Sequence, residues 1–149
     1  MCKYDIERRL LLIVSFFNII IFLLFVSCSN QVDEVTAGLG QEVELQIGQT
    51  VSIEEEQIRI KFVEVVSDSR CPEGATCIWQ GEVTCILEID YLDSTNRKTI
   101  VQPGLTQEPA KDTFSDYELI FNVQPYPELG RETKNSEYRL QLTVDKNSP

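Results

Sequence analysis

Histidine is absent from the chain. It is the commonest general base and the commonest transition-metal ligand, so most acid–base and metal chemistries lack their usual residue here. No serine stands in a G-x-S-x-G context, and the sequences C-x-x-C and D-x-D-x-D-G do not occur. These absences favour a non-catalytic protein with no cofactor and no metal site. A hydrolase that uses paired carboxylates stays open as the alternative.

The amino-terminal part holds the longest apolar stretch of the chain. Residues 10–26 follow Arg8 and Arg9, and the stretch closes with Leu24-Phe25-Val26-Ser27-Cys28. A basic region, an apolar region and a small residue before a cysteine are typical of a bacterial lipoprotein signal peptide. An uncleaved transmembrane anchor is the alternative, because 17 residues are just long enough for a tilted span.

This segment predicts the organisation of the chain. Residues 1–27 are expected to form a signal helix, residues 28–40 a polar tether, and residues 41–149 a single β-domain. The lipid attaches to the thiol of Cys28, and two or three acyl chains make the attachment lasting. Because Ser29 rather than aspartate follows the cysteine, we expect the outer membrane in a bacterium with two membranes, with the domain facing the periplasm or the surface.

Positive charge is scarce, with 13 Lys and Arg against 24 Asp and Glu and a net charge of −11. Without residues 1–27, 122 residues remain with 10 basic and 22 acidic side chains, a net charge of −12. Such a surface repels nucleic acid and anionic lipid, so neither is expected as a partner. It attracts a cationic envelope protein, although solubility alone also explains the acidity.

Alternation of apolar and polar residues dominates from residue 42 onward, which is the pattern of half-buried strands. The clearest run extends from Cys77 to Tyr91, and a change of parity at Phe62-Val63 predicts a bulge. Residues 93–96 are predicted as a turn and residues 103–115 as a long loop. The expected fold is all-β, an antiparallel β-sandwich (Ig-like or similar) of about seven strands. The predicted interior residues are Trp79, Val83, Leu87, Leu119, Phe121, Leu140 and Leu142.

Residues 68–81, here called the cysteine loop, read Asp-Ser-Arg-Cys-Pro-Glu-Gly-Ala-Thr-Cys-Ile-Trp-Gln-Gly. Cys77 and Cys85 lie in one predicted strand roughly 26 Å apart, too far for a disulfide. Cys71 and Cys77 enclose a short segment with Pro and Gly that can bend back. We therefore predict a structural Cys71–Cys77 disulfide and a buried, inert Cys85 thiol, in preference to a redox or zinc site.

Two further side chains of the cysteine loop carry predictions. Trp79 shares the apolar parity of the predicted strand, so it is expected in the core against the disulfide. Arg70 is expected to pair on the surface with Asp68 or Glu73, where an ion pair has little energetic weight.

The string D-S-R-C-P-x4-C-x-W-x-G in the cysteine loop, together with Val123-Gln124-Pro125-Tyr126-Pro127, resembles a group of small, mostly uncharacterised bacterial lipoproteins and exported proteins. With the strands between these motifs, the likeness covers roughly residues 42 to 144. The resemblance implies no enzyme, substrate or cofactor. The β-pattern, the acidity, the absence of histidine and the predicted anchor lead us to expect a lipid-anchored, non-catalytic binding or interaction module of the cell envelope.

Overall fold

Strands make up most of the domain. The computed structural model describes residues 34–104 and 108–147. These residues form nine strands and one short 3₁₀ helix, Asn135–Glu137: β1 (Glu34–Ala37), β2 (Val43–Gln46), β3 (Thr50–Ile53), β4 (Ile58–Asp68), β5 (Glu82–Tyr91), β6 (Ser94–Pro103), β7 (Ala110–Phe114), β8 (Tyr117–Gln124) and β9 (Arg139–Lys146). Within the same residues, no helix is long and apolar enough to cross a membrane.

Two sheets pack face to face. One has the strand order β1-β3-β4-β5-β6 and the other β2-β9-β8-β7. Among the described strands, neighbours pair antiparallel except β1 and β3, which pair parallel. The all-β sandwich is therefore confirmed, with nine strands rather than about seven.

The inward residues of both sheets form one hydrophobic core, because alternate side chains of a strand face the same side. β5 and β8 show the alternation most clearly, with every second residue buried along most of their length. Six of the predicted interior residues lie in this core, each at most 1 % exposed: Val83, Leu87, Leu119, Phe121, Leu140 and Leu142.

The two strands that the sequence pattern missed are both short edge strands. β1 lies inside the predicted tether and pairs only with β3, and β7 lies inside the predicted loop and pairs only with β8. An edge strand buries little of its own surface, so its sequence needs no strong apolar alternation. Here only Ala37 is buried, while Val35, Ala110 and Phe114 pack partly against the core.

The connections differ in part from the prediction. β5 and β6 form a long hairpin closed by Leu92 and Asp93, whose φ values are 48° and 60°. Both residues are left-handed, as a two-residue type I′ turn requires. Ser94 already belongs to β6, so the predicted turn at residues 93–96 begins too late. The bulge is confirmed by a register shift between Phe62 and Glu64.

Candidate interaction surface

The cysteine loop connects the end of β4 to the start of β5 at one end of the sandwich. β5 begins at Glu82, not at Cys77 as predicted. The loop therefore stands outside the sheet, and its position depends on contacts made by its own residues and by the segment that follows β8.

Arg70 holds the base of the loop. Its Nε and Nη2 donate to Oδ1 and Oδ2 of Asp68 at 2.9 and 2.7 Å. Nη1 donates to the carbonyl of Val123 at 2.8 Å, and Nη2 to that of Pro125 at 3.0 Å. Its Cζ lies 5.0 Å from the centroid of the Tyr126 ring. The predicted pairing of Arg70 with Asp68 is confirmed, but its predicted surface location is wrong, since the two side chains are 0 % and 8 % exposed.

The side chains of Arg70 and Gln102 form the hydrogen bonds to the outer edge of β8 that a neighbouring strand would otherwise form. β7 pairs with β8 only as far as Ala110 opposite Phe121, so within residues 34–104 and 108–147 no strand pairs with the outer edge of β8 at Val123. The Val123 N–H donates to Oε1 of Gln102 at 2.7 Å, and its carbonyl accepts from Arg70. Both polar groups of a buried strand end are thus satisfied by buried side chains.

The loop is closed by a disulfide and by a glycine. Cys71 and Cys77 are bonded with their Cα atoms 5.9 Å apart, which confirms the predicted pairing. The Cys71 N–H donates to the carbonyl of Gln80 at 3.1 Å. Gly81 has φ +66°, and a Cβ there would overlap the carbonyl oxygen of Ser69. Only glycine fits at this crossing of the two ends of the loop.

Ile78 and Trp79 form the tip of the loop and face solvent. Ile78 is 108 % and Trp79 75 % exposed. The prediction of a core Trp79 is wrong. It assumed that the alternation of β5 extends back to Cys77, but the left-handed Gly81 interrupts the strand two residues after Trp79. The sequence pattern did not single out Ile78 as a candidate interaction residue. Ile78 and Trp79 are adjacent apolar residues that would face opposite sides of a strand, and a glycine follows at position 81. This break in the alternation is the signal that indicates a loop here.

A groove of about 510 Å³ runs beside the tip. The disulfide, Trp79, Gly104 and Tyr126 are among the residues that line it. The Tyr126 hydroxyl donates to the carbonyl of Gly104 at 2.7 Å, which joins these two lining residues. The groove also has polar lining residues, among them Glu73 and Gln80, and the tip residues Ile78 and Trp79 belong to its lining.

A second groove of about 600 Å³ is lined by Asp68, Arg70 and Tyr138, among other residues. Asp68 accepts from the Arg70 guanidinium and from the Tyr138 hydroxyl, the latter at 3.2 Å. Burial, and then the charge of Asp68 and its hydrogen bond, raise the pKa of Tyr138 to about 12. At the rim, Arg131 pairs with Glu128 at 3.6 Å. Asp68 thus has a structural role in this groove.

Most of the exposed large apolar side chains lie towards this end of the sandwich. Leu129 follows Glu128, which bridges to Glu73 of the cysteine loop. Val66 lies near the end of β4, and Val101 pairs opposite Thr84 at the start of β5. Leu92 lies at the opposite end, in the β5–β6 turn.

The remaining candidate groups take no part in this surface. Cys85 is a buried free thiol, as predicted, and burial raises its pKa to about 12. A thiol of this kind stays protonated and unreactive at neutral pH. Glu56, in the acidic turn between β3 and β4, bonds Lys146 and Tyr117. Within residues 34–104 and 108–147, no group of three or more His, Cys, Asp and Glu is placed to hold a metal ion.

The predicted lipidation site Cys28, the signal peptide and the alternative membrane anchor all lie outside the described residues. Compared with known proteins, the chain matches no family model, no curated protein and no solved structure.

Proposed function

We propose that the protein is a lipid-anchored, non-catalytic binding module of the bacterial cell envelope that contacts its target through Ile78 and Trp79. The exposure of Trp79 on a stapled loop is the observation that carries the proposal. A large aromatic side chain at a surface supplies much of the energy of many binding sites.

The construction of the loop supports this assignment. Arg70, the disulfide and Gly81 all stabilise the fold of the loop, whereas Ile78 and Trp79 bury little of their surface. A tip that is already ordered loses little conformational entropy when it binds, so more of the contact energy remains as affinity.

The anchor places the module in the envelope. The apolar stretch that ends in Ser27-Cys28 motivates lipidation at Cys28 and, with Ser29 after it, the outer membrane of a bacterium with two membranes. A structural disulfide is typical of compartments outside the cytoplasm, which agrees with this location. The net charge of −12 calculated for the chain without residues 1–27 favours a cationic envelope protein as a further partner.

The alternative of a carboxylate-dependent hydrolase has less support. It needs a general acid whose pKa is raised and a second carboxylate across a cleft. Asp68 is engaged by Arg70 and Tyr138, and the pKa values of Glu56 and Glu137 are lowered by their hydrogen bonds. These carboxylates serve as ion-pair and hydrogen-bond acceptors.

Labelling in cells tests the anchor. A palmitate analogue should mark the wild-type protein and leave the Cys28→Ala variant unmarked. Equal labelling of the two proteins would contradict lipidation at this cysteine. In the labelled protein, a photoreactive residue at position 78 should crosslink to a lipid or a protein, while one at position 92, which is also apolar and exposed but lies at the other end, should not. Crosslinks at neither position would contradict a contact role for the tip.

A further inference from the structure

The direction of β1 shows from which side the chain enters the sandwich. Glu34 at the start of β1 lies opposite Thr50 of β3, and Thr50 lies opposite Lys61 of β4. β4 then continues from Lys61 to Asp68, at the base of the cysteine loop. Because β1 runs parallel to β3 and antiparallel to β4, the chain enters β1 from the side of the cysteine loop.

Chain lengths allow the anchor and the tip to reach the same surface. Six residue steps separate Cys28 from Glu34, and six steps reach at most about 22 Å. Along β4, seven residue steps separate Lys61 from Asp68, or about 23 Å at the strand rise. The extended tether thus nearly matches the path to the base of the cysteine loop, and the tip beyond that base meets the membrane that holds a lipid on Cys28 when the domain is tilted toward it.

The side chains of the tip suit the boundary between headgroups and acyl chains. Tryptophan is enriched at this boundary because its ring is apolar and its N–H needs a polar partner. Ile78 adds an apolar side chain that makes no contact with the core. Exposed Glu73 and Glu128 lie near the tip and repel anionic headgroups, so the charge selects a zwitterionic surface.

We propose that Ile78 and Trp79 insert into the zwitterionic surface of the membrane that carries the Cys28 anchor. The inference rests on the proposed function, because it needs the anchor. With the lipid as one attachment and the tip as a second, the domain lies in one orientation on the membrane. The cysteine-loop end then faces the lipid, and the turn at Leu92-Asp93 points away from it.

Trp79 is the one tryptophan of the chain, so intrinsic fluorescence reports this position alone. The full-length lipidated protein is reconstituted into phosphatidylcholine vesicles that carry bromine on the acyl chains near the headgroup. We expect a blue shift of the Trp79 emission relative to the unlipidated Cys28→Ala protein, and loss of most of the emission with brominated lipid. Mixing in phosphatidylglycerol should weaken the quenching.

Two matched variants test whether the tip is responsible. Ile78→Asp places a charge beside Trp79 and should abolish the quenching. Leu92→Asp places the same charge on an exposed residue at the opposite end and should leave the quenching unchanged. If both variants quench like the wild type, the inserted residues are not those of the tip and the inference is overturned.

Mass spectrometry of the reconstituted protein separates the two possible failures. A protein without lipid on Cys28 overturns the anchor and the inference together. A protein with the lipid, whose Trp79 emission is unaffected by brominated lipid, overturns the insertion alone. If that protein also captures one envelope protein that the Ile78→Asp variant loses, the tip contacts a protein and the membrane assignment is wrong.

Discussion

At the scale of the residue, the guanidinium of Arg70 joins three segments that are distant in sequence. It bonds Asp68 at the end of β4, Val123 near the end of β8, and Pro125 beyond that strand. A buried ion pair has a large desolvation penalty, which is offset only when every polar group is satisfied. Here the carbonyls and the ring of Tyr126 complete the surroundings of the cation.

Removal of this guanidinium should destabilise the protein strongly. Arg70→Ala leaves Asp68 buried beside two unsatisfied carbonyls, and we expect a loss of about 3–5 kcal/mol in the free energy of unfolding. As a control, Arg97→Ala breaks an exposed pair with Glu64 at 3.6 Å, which should change the free energy by less than about 1 kcal/mol. Urea denaturation measures both, and a similar loss for the two variants would contradict a structural role of Arg70.

At the scale of the element, the limits of the strands follow from single backbone positions. β5 starts at Glu82 because Gly81 is left-handed and brings the chain against Ser69. The same crossing is closed by Ser69, whose N–H donates to the carbonyl of Glu82 at 2.8 Å. A strand that started five residues earlier would bury Trp79 and would leave no loop for the disulfide to close.

Alanine substitutions at two glycines distinguish the cost of a strained backbone from the cost of a steric overlap between the added methyl group and a neighbouring residue. Gly81 and Gly130 both have positive φ, but a Cβ at Gly130 would meet no atom within 4 Å. Gly130→Ala should therefore lower the free energy of unfolding by about 1–2 kcal/mol. Gly81→Ala should lower it further, because the methyl group also overlaps the Ser69 carbonyl. Thermal and urea denaturation of the two variants check the order, and equal losses would contradict the close approach at Gly81.

At the scale of the whole molecule, polar links join the two sheets at both ends of the sandwich. At the cysteine-loop end, Arg70 connects β4 with β8. At the other end, Glu56 after β3 accepts from the Tyr117 hydroxyl at 2.6 Å and pairs with Lys146 of β9 at 2.6 Å. The apolar core between these links holds the sheets together, and the links fix how the sheets are aligned.

The Glu56 link predicts how stability depends on pH. The hydrogen bonds from Lys146 and then Tyr117 lower the pKa of Glu56 below its ordinary value of 4.5. A carboxylate whose pKa is lowered by folding stabilises the protein above 4.5, and this contribution is lost as the pH falls through the lower value. The free energy of unfolding should therefore decrease on acidification.

Replacing Glu56 tests the link directly. The Glu56→Gln variant should show a shallower decrease in the free energy of unfolding when urea denaturation is followed from neutral pH to about pH 3. A residual decrease is expected from Glu137, whose pKa is also lowered, first of all by the Lys134 backbone. If the wild type and the variant have the same pH profile, Glu56 does not link the sheets in the way described.

The sequence pattern predicted the parts of the fold that depend on local alternation. The buried faces of β5, β8 and β9 follow it closely, and so does the bulge after Phe62. The pairing of Cys71 with Cys77 also followed from the short spacing. The strand argument against a Cys77–Cys85 bond assumed an extended Cys77, which is wrong although the pairing is confirmed. The edge strands β1 and β7 were missed because few of their side chains are buried, so their sequences show little apolar alternation, unlike that of the edge strand β2.

The sequence by itself determined the all-β class, six of the seven predicted interior residues and the disulfide, because alternation and spacing act over a few residues. Only the tertiary structure decided where Arg70 and Trp79 lie. Arg70 is buried because the carbonyls of Val123 in β8 and of Pro125 beyond that strand, both more than fifty residues away, accept hydrogen bonds from it. Trp79 is exposed because Gly81 lies against Ser69, so β5 begins only after this crossing and Trp79 stays in the loop outside the sheet. Contacts between segments distant in sequence place both side chains, and no local pattern records such contacts.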